Sequence, residues 1–146
     1  MDYRLFGKTY YIRLDKGDEI VASILSVCGK EHIQSATFSG IGGCQEAEIQ
    51  TYIPEKHAFE TNHLQGMLEL VSLQGNVVLN GENNELCHHT HALFCYKDEG
   101  GHHQTGGHIK SITVLYTAEI ELRPVEGGVI MRKKDPETGT GFWDFR

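Results

Sequence analysis

Hydrophobic and polar positions alternate along most of this chain, and helical spacing shows in one stretch near its start. Residues 5–14 alternate loosely and are rich in Tyr and Ile, which predicts a strand, with Gly17 ending it. Asp18 is then placed to cap a helix reaching to about Cys28, because Ile20, Ile24, Val27 and Cys28 fall on one helical face. Gly29 stops it. From there the pattern changes to short extended runs between turn residues, at roughly 34–39, 46–53, 58–64, 67–79, 88–96 and 112–124. The fold class predicted is α+β, mainly antiparallel sheet with one principal flanking helix.

The run 67–79 is nearly continuously apolar, so both of its faces need cover. A single helix of about ten residues cannot cover both faces of a sheet. Either the sheet folds on itself or another subunit supplies the cover, and the pattern favours a subunit. Gly40-Ile41-Gly42-Gly43 reads as a tight bend or a close approach of two backbones. It lacks the Lys-Ser/Thr of a phosphate loop, and no helical pattern follows it. Residues 1–134 are expected to form one domain, and 135–146 a polar, turn-like tail. The tail's Phe142-Trp143-Asp144-Phe145 offers aromatics suited to docking.

Composition narrows the partners. The formal charge of −7, from 13 basic and 20 acidic residues, argues against tight binding to duplex DNA by this chain alone. Arg132-Lys133-Lys134 is the only basic run, and it reads as a solvated edge. No apolar run is long enough to span a membrane, and Met1-Asp2-Tyr3-Arg4 opens no charged-then-apolar leader. A cytoplasmic location is expected, in which Cys28, Cys44, Cys87 and Cys95 are buried free thiols.

Six of the nine histidines fall between positions 88 and 108. His89-Thr90-His91 lies in an extended run, so His89 and His91 share a face about 7 Å apart while His88 points the other way. Imidazoles at that spacing can lean onto one metal ion. Gly106-Gly107 lets the backbone approach a neighbour closely and could bring His108 over the same face. Three histidines leave a coordination position open, as in zinc sites that bind a further ligand. Cys87 shares the parity of His89 and His91 and is a candidate supporting ligand, although a packed thiol suits it better. His102 and His103 read as loop residues. Spacing alone leaves the alternative open that the cluster is a polar strand edge.

The same half of the chain carries a family resemblance. His89-Thr90-His91, Gly106-Gly107-His108 and Thr117-Ala118-Glu119 follow in the order of the signature of the PPC (plant and prokaryote conserved) family. Upstream, Gly66-Met67-Leu68-Glu69-Leu70-Val71-Ser72-Leu73-Gln74-Gly75 is similar to the family's Gly-Arg-Phe-Glu strand, with Met67 at the arginine position. Ser39-Gly40-Ile41-Gly42 resembles its glycine turn, and Leu14 with Asp18-Glu19 its opening strand and helix start. The resemblance implies a homotrimer and the family's label of candidate DNA-binding protein. It also implies the three-histidine metal site of the prokaryotic branch. No Arg-Gly-Arg-Pro hook of the plant members is present.

Two functions from different classes follow. The first is a regulatory or DNA-associated homotrimer with a divalent transition metal, zinc foremost, held by His89, His91 and His108. The alternative is a metal-dependent enzyme that activates a water at the metal, with Glu69 or Glu119 as base, or else a small-ligand sensor. Glu69 shares parity with Met67, Val71 and Leu73, an apolar face on which a carboxylate needs a partner.

Overall fold

Glu19, not Asp18, caps the helix. In the computed structural model, which describes Met1–Phe145, the Glu19 carboxylate accepts hydrogen bonds from the backbone N–H groups of Val21 and Ala22. It also accepts one from Ile112 N at 2.8 Å, which ties the helix start to a strand far along the chain. Asp18 instead accepts from Asp15 N within the preceding turn. The helix, α1 (Ile20–Lys30), continues through Gly29 and ends at Glu31. It buries Ile20, Ile24, Val27 and Cys28, the stripe its periodicity indicated, and Val21 as well.

The opening segment is a hairpin, β1 (Asp2–Phe6) and β2 (Thr9–Asp15), because Gly7 takes a positive φ of 62° and turns the chain. Three of the later strands are much longer than the short runs read from the sequence. They are β3 (Ala36–Ile53), β4 (Ala58–Asn80) and β6 (Gly101–Pro124); β5 (Leu86–Asp98) is shorter. The glycines at 40–43 make no bend. They lie inside β3, where register shifts mark bulges, and an added Cβ at Gly42 would stand 2.7 Å from the Thr117 carbonyl oxygen. Close backbone approach is their reason.

β3 pairs with β4 and β6, and β5 also pairs with β4 and β6, all antiparallel. These four strands therefore close on one another and cover part of their own apolar surface. A register shift between Leu70 and Ser72 inverts the facing of β4. Leu68, Leu70 and Leu73 are buried, whereas Met67, Glu69 and Val71 are exposed. Leu73 thus does not share the face of Glu69, as simple alternation had predicted.

At the far end, β7 (Ile130–Lys134) pairs with the end of β4 in parallel and with β8 (Gly141–Phe145) antiparallel. The aromatic stretch 142–145 is this last strand, and Trp143 Nε1 reaches Asn76 Oδ1 at 3.4 Å. No helix among the described residues is long and apolar enough to cross a membrane.

Candidate metal centre

His91 on β5 is flanked by Gln74 of β4 on one side and by His108 of β6 on the other. His89, two residues earlier, projects from the same face. The two rings stand 5.1 Å apart between centroids. His108 completes a triangle, 5.1 Å from His89 and 5.6 Å from His91. One nitrogen from each ring lies within 4.8 Å of the other two. Tetrahedral zinc with Zn–N near 2.0–2.1 Å places its donors roughly 3.4 Å apart, so modest ring rotation closes the set.

The local sequence explains the triangle. Gly106 and Gly107 lie inside β6, and Gly106 packs onto β5 so tightly that a Cβ would meet the Ala92 carbonyl oxygen at 2.1 Å. Only glycine admits that approach, and it brings His108 level with His91. His102 and His103 belong to β6 as well, not to a loop. They sit at the other end of the β5–β6 hairpin, where His103 bonds Asp98 at 2.8 Å and stacks on Tyr96. His88 faces away from the triangle and shares a 3.0 Å hydrogen bond with the buried Thr90.

Electrostatics prepares the imidazoles for ligation. Burial pushes His108 down to about 4, and the neighbouring histidines and Arg132 add to the effect. Burial and then Arg132 also lower His89. Neutral imidazole is the ligating form, so these two rings carry free lone pairs at neutral pH. The donor set is all imidazole nitrogen, which suits zinc, copper, nickel or iron. The residues fit a transition metal.

The candidate supporting residues lie outside the triangle. Cys87 donates weakly to the Val78 carbonyl at 3.5 Å, and burial raises its thiol. Like Cys95 it is only half-buried, whereas Cys28 and Cys44 are fully buried, with thiols pushed up to about 11 and about 12. Glu69 and Glu119 line a separate hollow with the exposed Ile41, Met67, Val71 and Tyr116. Two neighbours of the triangle escaped the sequence reading. Phe59 stacks on His108 at 5.3 Å, and Arg132 donates from Nη1 to the His88 carbonyl at 3.0 Å. Only the basic character of Arg132 was a signal, and it pointed to solvent.

A sequence model of the Plants and Prokaryotes Conserved (PCC) domain matches residues 1–126. No curated protein matches the chain. Among solved structures, a plant- and prokaryote-conserved (PPC) protein from Pyrococcus horikoshii is 34% identical, with 98% of this chain and 94% of that one covered at a TM-score of 0.83. A metal-containing protein from Archaeoglobus fulgidus is 31% identical, with coverage of 98% and 96% and a TM-score of 0.83. A candidate DNA-binding protein from Bacteroides thetaiotaomicron shares the fold at 22% identity, coverage of 99% and 96%, and a TM-score of 0.87.

Proposed function

Because the chain belongs to the Plants and Prokaryotes Conserved domain family, we propose that it is a homotrimeric metal-binding protein whose His89, His91 and His108 hold one divalent transition metal, zinc foremost. The observation that carries this reading is the convergence of three imidazole nitrogens within 4.8 Å, supplied by two adjacent strands. The similarity to the metal-containing Archaeoglobus protein supports it. The histidines bind and orient the ion, and Gly106 sets their register. Bound there, the metal supplies a Lewis-acidic position open to a further ligand. Glu69 and Glu119 line a different hollow, which weighs against either one as the base of a reaction at this centre.

The trimer reading rests on the exposed Ile41, Met67, Val71 and Tyr116 gathered around that hollow. An apolar patch of this kind on a strand face suits a subunit interface. A DNA-associated, regulatory role is the second reading, favoured by the description of the Bacteroides neighbour and by the basic strand β7. Metal analysis of protein purified without chelator or a metal-affinity tag tests the main reading. One ion per chain is expected, and a metal-free protein that takes up none on titration overturns it.

A further inference from the structure

A cleft of about 700 Å³ opens over the three imidazoles, and its walls differ in chemistry. Its aromatic lining is Tyr52 and Phe59, in edge contact at 5.3 Å, with the Phe59 ring stacked on His108. Its cationic lining is Arg132 and Lys134 of β7, with Asn80 at the end of β4 and Glu82 just beyond it. The cationic wall thus comes from the strand after residue 126, beyond the segment the family model matches.

The charge in this cleft is unbalanced. Three neutral imidazoles leave a divalent ion with its whole charge, because no carboxylate belongs to the donor set. Arg132 and Lys134 add two positive charges, against which the described lining of the cleft sets only Glu82. Among the described residues, no carboxylate stands within ion-pair distance of either cation. Arg132 is also held in place. Its Nη1 donates to the His88 carbonyl, which leaves other donors of the planar guanidinium for a ligand. A fixed guanidinium beside a metal with an open position is the arrangement that binds an anion by both at once.

We propose that this cleft binds a small organic acid, whose carboxylate bridges the metal and Arg132 while its flat apolar body lies against Phe59. The inference rests on the metal reading above. Lys134 contributes charge from the rim, and Glu82 disfavours ligands with a second negative group on its side. A neutral isostere of the acid gains neither the metal nor the guanidinium, and an inorganic anion gains nothing from the aromatic wall.

The test uses the intact chain loaded with Zn²⁺ for calorimetry and with Co²⁺ for visible spectroscopy, with metal content measured first. Benzoate is the probe, benzamide the neutral control and inorganic phosphate the inorganic one. Benzoate is expected to bind the metal-loaded protein at least tenfold more tightly than the metal-free protein, and to change the Co²⁺ spectrum. Benzamide should do neither, and phosphate should bind more weakly than benzoate. Arg132→Gln should weaken benzoate about tenfold with metal content unchanged. Lys134→Gln, on an exposed side chain, should weaken it about threefold and keeps the test in force if Arg132→Gln does not fold. A protein that holds one metal yet binds benzoate no better than benzamide overturns this inference alone. So does phosphate that matches benzoate, or a benzoate affinity that both variants leave unchanged. A protein that binds no metal fails the underlying reading instead.

Discussion

His91 and His108 are direct cross-strand partners, paired across β5 and β6 with their rings 5.6 Å apart and nearly perpendicular. Directly opposed residues share a face of a sheet, so this register alone points both imidazoles to one point above it. His89 joins by alternation along β5. A shift of one residue would turn the set to the opposite face.

Loss of any corner should therefore empty the centre. His89→Ala, His91→Ala and His108→Ala are each expected to reduce bound metal from one per chain to a small fraction, measured by elemental analysis of protein at matched concentration. His88→Ala, on the opposite face, and His102→Ala, at the far hairpin end, should keep the full complement. Metal retained at full stoichiometry by all five variants would remove the centre from the protein.

The triangle was legible because it depends on two short-range rules: alternation within His89-Thr90-His91, and the licence that glycine at 106 gives to close packing. What sequence could not supply was register over long distances. The bulge between Leu70 and Ser72 inverts the facing of one strand partway along, and no local pattern announces it. By residue type Asp18 is the favoured cap and Glu19 is not. The choice between them is made by Ile112, whose N–H lies 93 residues away and is reached by the longer Glu19 side chain. The walls of the cleft were hidden for the same reason. Phe59 reaches His108 from the start of β4, and Arg132 reaches the His88 carbonyl from β7, each more than forty residues along the chain from its partner.

Acid should destabilise the metal-free protein in a defined window. A histidine whose folded-state pKa lies below its unfolded value binds its proton more readily when unfolded, so acid favours unfolding. For His108 the loss begins as pH falls through about 6.5 and is complete near the folded value of about 4. It amounts to no more than roughly 3 kcal/mol at one pKa unit per 1.36 kcal/mol, less for the water still reaching this half-buried ring. Burial lowers His88 and His89 in the same direction. Denaturant unfolding between pH 7 and pH 4 reads the effect. His108→Gln should flatten the slope, and a wild-type stability that is constant or rises on acidification would contradict it. Saturating Zn²⁺ at pH 7 should raise the melting temperature, because the ion binds the folded state.

Gly106 is the position where the smallest substitution should cost most. The Cβ of Gly106→Ala would overlap the Ala92 carbonyl oxygen and come within 3.0 Å of Leu93 Cα, and both are backbone atoms that cannot rotate aside. β5 and β6 must separate locally. A loss of about 1–3 kcal/mol is expected, as for other overpacked sites. Metal affinity should fall together with stability, since His108 moves with the strand. Gly127→Ala, where a Cβ meets nothing within 4 Å, is the comparison, with only the strain of its positive φ to bear. Equal stability and metal affinity for Gly106→Ala and wild type would show that the two strands do not pack as described.

Association with DNA should be weak and strongly dependent on salt. The net charge is −7, and the basic residues of β7 sit beside the cleft with Lys133 and Lys134 exposed. Few phosphates can be neutralised at once, so affinity should decline steeply as salt rises towards physiological strength. Fluorescence anisotropy with a labelled duplex at low salt and at ~150 mM salt reads this. Nanomolar, sequence-selective binding at the higher salt would make DNA recognition the primary function.

Assembly should respond differently to two neighbouring residues. Leu70 is 2% exposed and belongs to the core, whereas Val71 is 50% exposed and lies beside Met67 and Tyr116 on the apolar patch. Leu70→Asp buries an unpaired charge and should unfold the chain. Val71→Asp leaves the core intact and puts a charge in the proposed interface, close to Glu69. It should yield a folded species that is smaller or dissociates on dilution. Light scattering of the wild type should give about three times 16.4 kDa. Circular dichroism beside it distinguishes dissociation from unfolding in each variant. A wild type that remains monomeric at micromolar concentration, or a Val71→Asp variant with unaltered mass on dilution, would rule out this patch as the subunit contact.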